Sequence, residues 1–226
     1  PSIRRSVGRW ITASAMALAI IVSMTALPSF ADSGVSRQLI PILGLTTDNR
    51  AIGTVAYLAL SFEERSDRSG LIVHFQNGPG RFSRMAQTST DQAIRWAARS
   101  LGLSTDSWTV VLSVPYAGMT IYGESLSAMV GVSVMTMAMG HSVPSGVVLT
   151  GTITPDRGIR PVGGVSLKVS AAWQARMRHV LVPDQADLDD ADWSTPFLMQ
   201  VSPVRTVEQA LAVLTRRPAQ AGGEAE

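Results

Sequence analysis

The chain has 226 residues, 46% hydrophobic and 16% charged, with a formal net charge of +2 and an isoelectric point of about 9.5. That composition excludes an intrinsically disordered chain and allows one domain of ordinary size with a short extension. Cysteine is absent, which excludes disulfides, zinc–thiolate sites and cysteine nucleophiles. The basic excess is local. Arg4, Arg5 and Arg9 precede the first acid, Asp32, and beyond residue 31 there are 16 basic residues against 17 acidic ones. No basic stripe of the kind nucleic-acid binding needs is left.

Residues 10–27 form an uncharged run behind the three arginines, closed by Pro28 and then Ser29-Phe30-Ala31. A basic head, an apolar stretch and small residues at −3 and −1 are the marks of a secretory signal peptide, with cleavage after Ala31. The run is also near the length of a membrane span, so an uncleaved anchor through 10–27 is the alternative. Both readings predict an exported, extracytoplasmic domain. Residues 32–217 are expected to hold that domain and 218–226 a disordered tail.

Residues 32–50 read as a loose lead-in segment, and 52–62 as an apolar strand. A charged turn at 63–70 leads to a second strand, 71–75, and Asn77-Gly78-Pro79-Gly80 is a strong turn signal. Residues 83–101 suit a helix with Met85, Ile94, Trp96, Ala97 and Leu101 as its apolar positions and Gly102 as its stop. A strand follows at 108–115. Residues 125–139 are apolar nearly all round and precede Gly140, as in a buried helix, although a partial alternation keeps a strand open. Segments 147–154 and 159–162 flank Pro155-Asp156-Arg157-Gly158, a hairpin signature. Gly163-Gly164 opens a helix over 165–178. A short strand at 180–182, an acidic loop at 184–192, a strand at 197–201 and a helix at 207–216 capped by Thr206 complete the chain. Strands and helices mix without strict alternation, so the fold class is α+β or irregular α/β.

No phosphate-binding G-x-x-x-x-G-K-[ST] loop, H-E-x-x-H metal motif or G-x-S-x-G nucleophile elbow is found. No metal or cofactor is implied. His74, His141 and His179 are scattered and read as structural or surface residues, which leaves a triad assembled from distant residues open. Two stretches remain, Tyr122-Gly123-Glu124-Ser125-Leu126-Ser127-Ala128 and Pro161-Val162-Gly163-Gly164-Val165-Ser166-Leu167-Lys168. Alone, Ser125 reads as a helix cap and Lys168 as a solvated helix lysine. Together they fit another chemistry. A lysine on a helix of Val165, Leu167, Val169, Ala171, Ala172 and Trp173 loses solvation, which favours the neutral amine, and a neutral amine can take the proton of a serine hydroxyl. Gly123 beside the nucleophile lets a substrate backbone approach closely.

At these residues the chain resembles the Lon serine proteases, peptidase family S16. The matching pieces are Gly123-Glu124-Ser125, Gly140, Thr150-Gly151-Thr152-Ile153-Thr154 and the Pro161 to Lys168 stretch, in the family's order and with nearly its spacing, over about residues 50–215. His179-Val180-Leu181-Val182-Pro183 and Asp187-Leu188 match further family positions. Gly163-Gly164-Val165-Ser166 is most similar to the archaeal, membrane-anchored branch. The resemblance implies a Lon proteolytic domain of the ribosomal S5 domain 2 type, with Ser125 and Lys168 as a catalytic dyad and Thr150 orienting the lysine. It also implies polypeptide substrates and, as in many members, a hexameric ring. Two departures stand out: Leu126 replaces the usual small residue after the nucleophile, and Val111 and Ser113 stand where many bacterial members carry histidines.

The expected function is therefore an ATP-independent serine endopeptidase acting on unfolded or flexible chains. One alternative is a catalytically weak binding or scaffold domain, with Leu126 crowding the nucleophile. Another is a small-molecule kinase reading of Ser125-Leu126-Ser127-Ala128. The kinase reading lacks the glycines that cradle phosphate and leaves Lys168 unexplained.

Overall fold

A computed structural model describes residues 35–46, 50–186 and 198–216. The proposed leader, Asp187-Leu188, most of the acidic loop and the tail lie outside the described residues. The elements run β1 (Val35–Leu45), β2 (Gly53–Glu64), β3 (Ile72–Phe75), β4 (Arg81–Phe82), α1 (Arg84–Ser100), β5 (Trp108–Ser113), β6 (Thr120–Ile121) and α2 (Ser127–Ala138). There follow β7 (Val147–Leu149), β8 (Thr152–Ile153), β9 (Ile159–Arg160), α3 (Val165–Gln174), β10 (His179–Pro183), β11 (Gln200–Val204) and α4 (Val207–Thr215).

The main sheet has the order β1-β2-β5-β3, with β1, β2 and β5 antiparallel and β3 parallel to β5. A second sheet, β11-β10-β7, is all parallel. Two short pairs, β4 with β6 and β8 with β9, complete the α+β architecture that the sequence implies. Along β2 the side chains of Ala56, Leu58, Leu60 and Phe62 alternate inward and join Val110 and Leu112 of β5 in the main core. Helix α2 packs on that sheet, and α1 packs on α2 in the same core. The buried positions of α1, namely Ala86, Thr90, Ala93, Ile94, Ala97 and Ala98, follow helical spacing. Its N-cap is Ser83, whose Oγ accepts from the Ala86 amide, and it stops before Gly102 at φ +67°. Met85, expected among its apolar positions, is exposed in the first turn instead.

Residues 35–45 correct the sequence reading. They are not a loose lead-in but the edge strand of the main sheet, paired residue for residue with β2 from Val35↔Glu63 to Leu45↔Gly53. Its second half lies between two cores. Ile40 and Ile42 face the main core, and Leu43 joins a second core with Val165, Val169, Val180 and Val182. Burial on both faces removes the alternation that marks a strand. Pro41 is tolerated because of the edge. The Thr46 amide donates to the Ile52 carbonyl, so even-numbered residues of β1 bond to β2 and the odd-numbered ones point away from it. Pro41 therefore lacks an N–H only where no ladder bond is made.

Four further readings also change. The segment 147–154 is not one arm of a hairpin: β7 joins the parallel sheet, and only β8 pairs with β9. The helix expected over 165–178 ends at Gln174, and the last strand is Gln200–Val204 rather than 197–201. The helix α2 begins two residues after Ser125, which sits in the preceding turn. Among the described residues no helix is long and apolar enough to cross a membrane.

Candidate active site

Ser125 lies in the turn between β6 and α2. Gly123 adopts φ +77° there, and a side chain at that position would meet nothing within 4 Å, so its outer side is open. The Ser127 amide donates to the Glu124 carbonyl at 2.9 Å, closing the turn. Two more bonds fasten it from behind. The Gly151 amide donates to the Ser125 carbonyl, and the Ala128 amide donates to the Gly151 carbonyl, both at 3.2 Å. Gly151 itself has φ +142°, and a Cβ there would fall 2.8 Å from Ile159 Cγ2. Conformation and space both require glycine where β7 gives way to β8. Beside it, the Thr150 amide donates to the Leu181 carbonyl at 3.1 Å. The Thr150 side chain is fully buried, and its hydroxyl has no partner among the described residues.

Lys168 sits in the first turn of α3, its amide donating to the Gly164 carbonyl at 3.1 Å. Val165, Lys168, Val169 and Ala172 share one buried stripe, while Leu167 and Trp173 face outward. Only 3% of Lys168 is exposed. No ion pair or hydrogen bond to its amine is found among the described residues. Burial alone pushes the amine down from 10.5 to about 8.

The turn and the helix meet at a cleft of about 750 Å³ lined by Gly123, Glu124, Ser125, Leu126 and Lys168. The opposite wall is the end of β1, from Ile42 to Thr46. Thr150 is not a lining residue; it stands behind the cleft, tied to Ser125 through Gly151. Glu124 is exposed. Leu126 is 2% exposed and belongs to the main core beneath the turn. None of the three histidines lines the cleft. His74 and His141 are exposed, and His179 bonds Ser202 Oγ at 2.9 Å in the parallel sheet. Among the described residues no group of three or more His, Asp or Glu is placed to hold a metal ion.

Two features of the site escape motif reading. The β1 wall was hidden by the absence of alternation. The other was in plain view: Lys168 is the single lysine of the sequence, beside 18 arginines. Arginine can supply surface charge everywhere that lysine does, but it cannot give up its proton. A chain that uses arginine at every other basic position and keeps one lysine, buried, points to a place where deprotonation matters.

Curated relatives and a family model match this part of the chain. Lon protease 2 of Sorangium cellulosum (strain So ce56) is 31% identical over 110 residues, 48% of this chain and 14% of that protein. The Lon protease of Desulforamulus reducens is 24% identical over 184 residues, 75% of this chain and 23% of that protein. The archaeal Lon protease of Thermoplasma volcanium is 33% identical over 96 residues, 41% of this chain and 14% of that protein. Bacterial and archaeal relatives thus match at comparable identity, and the chain spans less than a quarter of the length of each. The family model of the Lon protease (S16) C-terminal proteolytic domain matches residues 84–216, which include the Ser125 turn, the Thr150-Gly151 crossing and the Lys168 helix. With more than half of its residues matched, the chain belongs to the Lon protease (S16) C-terminal proteolytic domain family.

Proposed function

We propose that this chain is a serine endopeptidase that cleaves unfolded or flexible polypeptides without ATP, using Ser125 as nucleophile and Lys168 as general base. The observation that carries this reading is the single lysine, buried without an acidic partner in the same cleft as Ser125. A neutral Lys168 amine takes the Ser125 Oγ proton as the oxygen adds to the scissile carbonyl carbon. The resulting ammonium then gives that proton to the leaving amine as the C–N bond breaks. Water, deprotonated by the same amine, attacks the acyl-serine ester, the acyl C–Oγ bond breaks, and the ammonium returns the proton to Ser125 Oγ. Among the amides at the turn, those of Ser127 and Ala128 are already bonded to carbonyls, whereas no backbone acceptor is found for those of Ser125 and Leu126 among the described residues. These two are the donors offered to the tetrahedral oxyanion.

The β1 wall supplies a way to hold an extended chain. The outward-pointing backbone groups of Leu43 and Leu45 line the cleft, and a substrate segment can add to this edge as a further strand. Such pairing needs an extended backbone, which folded domains rarely present. The full chain should therefore degrade an unfolded protein and spare the same protein folded, without nucleotide. A fluorophosphonate should label Ser125. Absence of both hydrolysis and labelling would favour the scaffold reading. Against that reading stands the position of Leu126, whose bulk lies in the core under the turn.

Thr150 is proposed to orient Lys168 from behind the cleft. Thr150→Val keeps the shape and removes a buried hydroxyl for which no partner is found among the described residues, so the variant should be at least as stable as the parent unless that hydroxyl engages the Lys168 amine when substrate is bound. Peptidase turnover should nevertheless fall, by about tenfold. Unchanged turnover would reduce Thr150 to a packing residue.

The leader reading places the domain outside the cytoplasm, either cleaved after Ala31 or anchored through 10–27. N-terminal sequencing of the mature protein should begin at or near Asp32. Residues 1–31 intact in a soluble cytoplasmic pool would contradict export. Ring formation, the family expectation, is read by sedimentation of the purified chain.

A further inference from the structure

We propose that Gly53 is a positioning residue for Lys168: the absence of a side chain there lets the start of β2 press against the Leu167 carbonyl and so sets where α3 holds its lysine. The inference rests on the dyad reading above. A Cβ built on Gly53 would lie 2.0 Å from the Leu167 carbonyl oxygen, 2.5 Å from its carbon and 3.1 Å from Ala171 Cβ. The nearest atoms are helix backbone, which cannot swing aside as a flexible side chain could. Gly53 is an ordinary strand residue without a positive φ, so space alone, and not backbone conformation, calls for glycine.

A second contact comes from the residue paired with it. Leu45 is the register partner of Gly53, and its Cδ1 would stand 2.7 Å from a Cβ on Gly164, the N-cap of α3. One cross-strand pair therefore touches the first turn of α3 at two places, on either side of the bond from the Lys168 amide to the Gly164 carbonyl. No polar partner fixes the Lys168 amine among the described residues, so packing of the helix backbone determines where it sits. Among the described residues that line the cleft, the one other charged group is the exposed Glu124.

In Gly53→Ala the new methyl, 2.0 Å from the Leu167 oxygen, can reach ordinary contact only if the first turn of α3 withdraws by roughly 1.4 Å, and a misplacement of about 1 Å can already cost about 100-fold in rate where reacting groups must align. The expected result for the full chain is a kcat lower by about 30- to 100-fold with KM changed less than about threefold. The single lysine gives a second readout. A chain carrying 13C-labelled lysine shows one side-chain resonance set, that of Lys168, whose titration needs no catalysis. In Gly53→Ala this titration, and the acid limb of the pH–rate profile with it, should move upward toward the 10.5 of a solvated lysine as the amine leaves its buried place. A purely structural role would lower the melting temperature and leave the titration and kcat of the folded variant at parent values, and that result overturns the proposal. If Gly53→Ala does not fold, Leu45→Ala removes the other contact and should also move the lysine titration; an unmoved titration there overturns the proposal equally. Failure of the underlying reading is separate, since it appears as parent hydrolysis insensitive to Ser125→Ala.

Discussion

Ser125→Ala, Lys168→Arg and Lys168→Met should each lower kcat/KM on an unfolded protein by about 10⁴-fold or more while the chain stays folded. The three substitutions reach this result by different routes. Ser125→Ala removes the attacking oxygen. Lys168→Arg keeps a long cationic side chain but one that cannot deprotonate, so no group takes the hydroxyl proton. Lys168→Met keeps similar length and removes the base. Since the two residues act as one unit, the double variant Ser125→Ala/Lys168→Met should be no slower than either single one. Hydrolysis is followed on the full chain with circular dichroism as the control for folding. Normal turnover by Lys168→Arg would end the proposed mechanism, and a double variant slower by the product of the two single losses would show that the residues act independently.

Lys168→Met should also be markedly more stable than the parent at neutral pH. Lys168 as a whole is 3% exposed, and the value of about 8 for its amine in the folded chain lies below the 10.5 of a solvated lysine. The sign follows from proton binding. Between these two values the unfolded chain binds more protons than the folded one, so stability of the parent rises with pH across this window. Below about pH 8 both states are protonated and the folded state carries the full penalty of a buried ammonium, about 3 kcal/mol. Methionine removes that penalty. For a domain of this size the melting temperature should rise by about 6–12 °C at pH 7, and the gap should close as pH approaches 10.5. On the proposed mechanism the same ionisation governs turnover: activity should rise with pH as Lys168 loses its proton near 8. Equal melting temperatures of parent and Lys168→Met across this range would show that the lysine is solvated. A dead enzyme more stable than the live one is the signature of a group kept for chemistry at the expense of the fold.

Helices α1 and α4, several turns and the pair of residues on which the functional reading rests were legible in the amino-acid sequence, whereas 125–139 could still be read as a strand. Local chemistry is sufficient for those. Ser83 and Thr206 cap α1 and α4 through their own side chains, and Gly102 and Gly140 take the positive φ that ends a helix. Four ordered segments, around Ser125, Gly140, Thr150 and Lys168, carried the resemblance to the family, and the solitary lysine supports the proposed chemistry independently. Tertiary structure alone decided three other matters. It made a strand of 35–45, because a segment buried against two cores loses the alternation that a half-buried strand shows. It parted β7 from β8 at Thr150-Gly151, where parallel pairing with β10 and contact with the Ser125 turn compete with the local preference for a hairpin. It also decided that Lys168 is inside. A helix with apolar residues on most sides does not say which side is buried. That follows from the packing of α3 on β1, β2 and β10, including the close approach of Gly53 and Leu45 to its first turn from more than a hundred positions away in the chain.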